Sequence, residues 1–271
     1  KRISSTMITN RTYGMDADVI SYNARIVAGG NQSLSMQSLR QLNQFVISIK
    51  KMGLWANMVC WPLRANQNAG TGLTAYSLGG LGTYNGTLTN GPIWGAKGID
   101  FDGVDDFINT GNPLNSARVI YASYLSKTIG AINASVVGNY NFNGTTETGY
   151  ELIYEASNRP SIRFYTSVNN TNSRQSTINC NDGNFHFATA ITDNTASQIS
   201  VDGTTGAFTN LTNPPRINST GNFAIGAGNT VGRLQMNVII SFVAVMDLYT
   251  TQFNSVRTLY KTTLGQDLGL P

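Results

Sequence analysis

The chain is short of charge, of histidine and of glutamate. Charged residues make up only 12% of its 271 positions, His186 is the sole histidine, and Glu147, Glu151 and Glu155 are the sole glutamates. A single histidine cannot complete a zinc site with Cys60 and Cys180, which are the two cysteines and stand 120 positions apart. They are read as two buried free thiols, with a disulfide across the chain as the alternative. No apolar run approaches the roughly 18 residues that span a bilayer, so no membrane insertion is expected. The chain opens at Lys1 without a signal-peptide pattern, which is read as a processed or trimmed piece of a longer protein.

What is abundant is equally informative. Hydrophobic residues reach 41%, so the sparse charge does not mean disorder. Gly, Asn, Ser and Thr separate short Val/Ile/Phe/Tyr segments at the spacing of an all-β sandwich with many turns. The strand candidates are Asn57–Pro62, Phe107–Thr110, Arg118–Leu125, Glu151–Tyr154, Ser161–Thr166, Phe185–Thr192, Ser197–Val201, Phe223–Ile225 and Met236–Met246. Residues 66–98 read as long loops and short edge pieces with isolated aromatics, Trp94 among them. Before them, Asp16 to Ala28 sets Val19, Tyr22, Ile26 and Val27 on one helical face. Ser35 to Met52 then repeats Met36, Leu39, Leu42, Phe45, Val46 and Ile49 at helical spacing. A third amphipathic segment, Thr251–Thr263, carries Phe253, Val256 and Tyr260. The expected organisation is an extended lead-in over 1–15, a helical hairpin over 16–55 that serves as an attachment module, and a sandwich over 56–271.

Basic residues are concentrated early: eight Lys/Arg against Asp16 and Asp18 in residues 1–66, then ten against twelve acidic residues in the rest. They are scattered singly around the helical segments, without the aromatic-interleaved stripe of a nucleic-acid surface, so no nucleic-acid partner is expected.

Three motifs carry a resemblance. GIDFDGVDDFIN (Gly98–Asn109) has Phe101 and Phe107 expected inward from two short strands, with a tight Asp102-Gly103 turn. NDGNFHFA (Asn181–Ala188) has Phe185 where the related pattern has tryptophan. FAIG (Phe223–Gly226) precedes a long strand that reaches Tyr249. In that order they are similar to the laminin-G-like, concanavalin A-like jelly rolls, which implies an all-β jelly-roll sandwich behind a small N-terminal helical hairpin. The stretch Asp16–Trp55, with Leu42, Asn43, Gln44, Phe45, Val46, Lys50, Gly53, Leu54 and Trp55 in matching places, resembles a module of phage virion structural proteins that precedes such a sandwich. That resemblance implies a virion surface, hence extracellular, location, other virion proteins as partners, and a homo-oligomer with a trimer as its expected form.

No catalytic residue is assigned. The glutamates do not form the carboxylate pattern of the sandwich-fold glycosidases, no Gly-x-Ser-x-Gly elbow occurs, and His186 reads as a packing or rim residue. No cofactor and no metal are assigned. Asp105 and Asp106 have two readings: they bond turn backbone, or they ligate calcium. The ligand-binding candidates are Tyr140, Asn141, Phe142 and Asn143, from the loop GNYNFNGTTETGY, together with Trp94. Aromatics among amides suit a host-surface glycan, because a ring face stacks on a pyranose while amides bond its hydroxyls. The alternative is a hairpin loop anchored by one aromatic. The function expected is therefore that of a non-enzymatic tail-fibre, head-fibre or decoration protein that binds glycan, or of a purely structural subunit whose sandwich makes only subunit contacts.

Overall fold

The two N-terminal helices start where the sequence supplies caps. The Asp16 carboxylate accepts from the Asp18 N–H (3.0 Å) at the head of helix α1 (Ala17–Ala28), and the Ser35 hydroxyl accepts from the Ser38 N–H (3.1 Å) at the head of helix α2 (Met36–Lys51). Gly53, at a φ of +72°, follows the end of α2. Lys50 bridges Asp16 and Asp18 (both 2.7 Å), and the Trp55 indole N–H reaches Asp18 (2.8 Å), so the end of one helix is tied to the start of the other. The computed structural model describes residues 14–127, 134–142, 145–154, 159–167, 170–192, 196–207, 209–210, 218–229 and 235–271.

After the helices come strands β1 (Met58–Pro62), β2 (Ile99–Asp102), β3 (Phe107–Asn109), β4 (Val119–Ser126), β5 (Ala134–Gly138) and β6 (Tyr150–Tyr154). They are followed by β7 (Pro160–Ser167), β8 (Asn170–Gln175), β9 (His186–Thr192), β10 (Ala196–Val201), β11 (Ala224–Ile225), β12 (Asn237–Met246) and helix α3 (Phe253–Thr262). In sheet 1 the order is β10-β9-β4-β12-β1, with β2 paired to the first half of β12. In sheet 2 it is β8-β7-β6-β5-β11-β3. The described pairings are antiparallel, and the two sheets pack face to face. This is the jelly-roll sandwich with an N-terminal helical hairpin that the sequence implies.

Sheet 1 is buried on both faces. Val59, Trp61, Ile120, Ala122, Ala188 and Val243 face sheet 2, while Met58, Cys60, Tyr121, Phe187 and Phe242 join the buried stripes of α1, α2 and α3. In β12 the side-chain alternation would carry one hydrophobic set to the wrong face halfway along. A register shift between Ile240 and Phe242 corrects this, so that Val238 and Ile240, then Val243 and Val245, all reach the inter-sheet core. Ser241 lies at the shift, and its hydroxyl meets Ser123 Oγ (2.8 Å) and Tyr260 Oη (2.9 Å) beneath α3. Cys60 and Cys180 are free thiols that pack in the two different cores.

Three expectations are corrected. Val27 is 46% exposed: Val19, Tyr22 and Ile26 face the sheet, and Val27 lies one residue further round α1. Phe101 enters the inter-sheet core, but Phe107 packs with Ala224 and Ala227 while Ile108 points inward. The cause is that β2 belongs to sheet 1 and β3 to sheet 2, so the Asp102-Gly103 turn, with Gly103 at a φ of +78°, crosses between sheets and does not close a hairpin. Strands β5 and β8 also form where none was expected.

The Phe45 ring meets Phe242 edge-on at 5.6 Å, so helix and sheet share one core. Phe45→Ala is expected to cost about 3–5 kcal/mol. The helical and sheet signals should still melt together in circular dichroism; loss of the helical signal alone would show that the hairpin is a separate unit.

Candidate functional site

Sheet 2 has one face against sheet 1 and one face away from it, and alternation decides what goes where. Tyr150, Leu152, Tyr154, Ile162 and Phe164 fill the inter-sheet core, which sends Glu151, Arg163 and Tyr165 to the far face. Glu151 and Arg163 stand directly opposite in the β6–β7 pair. The Glu151 carboxylate is fully buried and accepts from the hydroxyls of Ser135 and Tyr165. Burial, reinforced by the charge of Glu151, pushes the Tyr165 phenol well above its ordinary pKa, so it stays a donor.

Next to this network rises a small hairpin, in which Asn141–Phe142 pairs with Glu147–Thr148 and Phe142 stands opposite Glu147. Its root is held from several sides. The Asn139 side chain donates to Asn115 Oδ1 (3.1 Å) and accepts from the Tyr150 N–H (2.9 Å), and Tyr140 N–H donates to Gly228 O (2.9 Å). Gly149, at a φ of +96°, passes so close to Asn139 that an added Cβ would lie 2.5 Å from its carbonyl oxygen.

Tyr140 is not an exposed stacking platform. It is 1% exposed, its ring lies on Tyr165 at 4.7 Å, and its hydroxyl donates to Glu147 Oε1 (3.0 Å). It is the anchoring aromatic, and its burial corrects the expectation that it meets a ligand. Phe142, two residues on, is 46% exposed. Asn141 lies between them and donates to Thr220 Oγ1 (2.7 Å). Asn143 lies outside the described residues, as does Glu155. Trp94 is elsewhere: its short strand, Ile93–Trp94, pairs with β2 in sheet 1, and its half-buried indole donates to Gly72 O (3.0 Å). The candidates thus separate into a buried anchor, a hairpin tip and a distant edge. Glu147 is the neighbour that the sequence did not single out as a ligand contact; its only signal was its place in the same Thr-rich loop.

Two further clusters carry chemistry. Asp102, Asp105 and Asp106 offer carboxylate oxygens within 4.8 Å of one another, a donor set that suits a hard cation such as calcium. Asp106 also accepts from the Asp102 N–H (3.0 Å), as a turn-holding residue does. Burial and the neighbouring aspartates raise its pKa. His186 is held at both ring nitrogens, Nδ1 by Asp202 (2.6 Å) and Nε2 by Asp182 (2.9 Å), which is a bonding pattern for an imidazolium. Asp202 and Gly203, at φ of +52° and +87°, make the turn that brings this carboxylate to the strand end.

No protein-family model and no curated protein matches the chain. Solved structures do. Trypanosoma rangeli sialidase in complex with sialic acid superposes with a TM-score of 0.56 at 14% identity, over 78% of this chain and 34% of that one. The same organism's sialidase as the covalent intermediate with 2,3-difluorosialic acid gives a TM-score of 0.56 at 13% identity, over 85% and 39%. The likeness is one of fold. This chain spans less than two fifths of the length of those enzymes.

The His186 cluster gives a pH dependence. Burial alone would lower the pKa of His186, but its hydrogen bonds to Asp202, Cys180 and Asp182 outweigh that and raise the value from 6.5 to about 11. A raised basic pKa stabilises the fold fully below its unfolded value and loses that contribution as pH rises through the folded value. Stability is therefore expected to decline between about pH 6.5 and about pH 11. His186→Gln should cost about 3 kcal/mol near neutrality and flatten that decline. A melting-temperature series of equal slope in both proteins would refute the assignment.

Proposed function

We propose that this chain is a non-enzymatic, glycan-binding surface protein of a virion, of tail-fibre, head-fibre or decoration type. The observation that carries the binding reading is an exposed ring, Phe142, on a hairpin whose root is fixed by buried bonds through Asn139, Tyr140 and Glu147. A ring held ready in place loses little entropy on meeting a sugar, and Glu147 stands opposite it in the strand pair. The fold it shares with the sialidases is compatible with this reading. A weak single site would gain avidity from several copies, which suits a homo-oligomer, a trimer in particular.

The two described glutamates support the non-enzymatic reading. Most glycoside hydrolases use a pair of carboxylates that flank the scissile bond. Glu151 is wholly buried and bonded to two hydroxyls, and Glu147 is engaged by Tyr140. A nucleic-acid partner is disfavoured too, because early basic side chains are used internally. Arg25 donates to Asn85 and Ser77, Lys50 pairs with two aspartates, and Arg64 makes a two-pronged bond to Asp267 (2.7 and 2.6 Å).

The second reading, a purely structural subunit, draws on a different place. Leu73 and Ile93 are 67% and 68% exposed next to Trp94 and Gly72, an apolar group at the sheet 1 edge of the kind that protein contacts cover. The two readings separate on a glycan panel probed with the full chain. Phe142→Ala should weaken binding about tenfold or more, with melting temperature unchanged. Trp94→Ala should leave it intact. Binding that ignores Phe142, or a loss of self-association with Trp94→Ala and no glycan bound by the wild type, would move the assignment to the structural role.

A further inference from the structure

Which sugars would this hairpin accept? Phe142 and Glu147 form a directly opposed antiparallel pair, so their side chains leave the same face of the hairpin with Cβ atoms about 5 Å apart. One oxygen of the Glu147 carboxylate takes the Tyr140 hydroxyl (3.0 Å), and among the described residues no protein donor reaches the other, Oε2. Glu147 is only partly buried. The hairpin therefore places a carboxylate acceptor, fixed by a buried phenol, beside an exposed aromatic ring.

The local charge is one-sided. No lysine or arginine occurs among the described residues of 134–154 or 218–229, the segments that build and brace the hairpin. Arg163 belongs to the neighbouring network, on β7 opposite Glu151 in the strand pair. A sugar carboxylate or sulfate set on Phe142 would meet the like charge of a carboxylate at Glu147, with no lysine or arginine on the described residues of those segments to offset it, whereas a neutral sugar hydroxyl would give it a hydrogen bond.

Resting on the glycan-binding reading above, we infer that the ligand is a neutral, hydroxyl-rich sugar, with its ring face on Phe142 and a hydroxyl donated to Glu147 Oε2, and that acidic sugars are excluded. Tyr140 is then a positioning residue that aims the carboxylate.

The test is a panel of matched glycans, each neutral member paired with its sialylated or sulfated counterpart, titrated against the full chain and its variants. The neutral members should bind and their acidic counterparts should bind at least about tenfold more weakly. Glu147→Gln keeps an acceptor for Tyr140. It should weaken neutral binding about fivefold to tenfold and narrow the neutral-to-acidic gap, with melting temperature unchanged. Tyr140→Phe, which keeps the ring and removes the hydroxyl, should weaken neutral binding without changing that gap. A wild-type preference for the acidic members that Phe142→Ala abolishes would overturn the ligand class and leave the hairpin reading standing. Neutral binding that survives Phe142→Ala would overturn the hairpin itself, and no binding to any member would overturn both.

Discussion

Sheet 1 has no side that can be left to water. Met58, Cys60, Tyr121, Phe187 and Phe242 are as buried on one face as Val59, Trp61, Ala122, Ala188 and Val243 are on the other. One face is satisfied by sheet 2, as in any sandwich. The other needs the three helices, whose apolar stripes would find too little to bury by themselves. This two-sided demand also explains the irregularity in β12. A ten-residue strand with strict alternation could not keep both hydrophobic sets in place against β2 and β4 at one end and β1 and β4 at the other. The shift at Ser241 resets the parity, and Ser123 and Tyr260 satisfy the polar group it exposes to the core.

With the helices committed to sheet 1, the far face of sheet 2 is where polar side chains can be spent. Glu151, Arg163, Tyr165 and Ser135 would be ruinous between the sheets. On the far face they bond one another and give the neighbouring hairpin a rigid floor. The Tyr140 ring sits on that floor through Tyr165, so the order of the hairpin derives from sheet 2 and owes little to its own Asn- and Gly-rich sequence.

The helices and most of the strands were legible because each announces itself within its own segment: the three- and four-residue stripe of α2, and the short Val/Ile/Phe/Tyr runs set between Gly, Asn, Ser and Thr. What escaped depends on partners remote in sequence. β8 reads Asn-Thr-Asn-Ser-Arg-Gln, a polar stretch that is a strand only because β7 lies beside it. Phe107 looked like a core residue because its motif suggests a hairpin; the assignment of β2 and β3 to different sheets reverses it. Tyr140 looked exposed because its neighbours are polar. Nothing nearby in the chain reveals that Tyr165, 25 positions on, will cover it.

Glu147 and Glu151 illustrate how little residue type decides by itself. They are four positions apart, and each accepts from a tyrosine hydroxyl, with the two tyrosine rings in contact. Glu151 lies inside the sheet network, fully buried, bonded by a second hydroxyl and opposite Arg163 in the strand pair, so its work is structural. Glu147 lies one turn of the chain further out, on a hairpin arm, where among the described residues only one of its oxygens is taken. A carboxylate buried among donors holds a fold together. The same group half-exposed beside an aromatic ring is left with an acceptor to offer, and a difference of solvation separates the two roles.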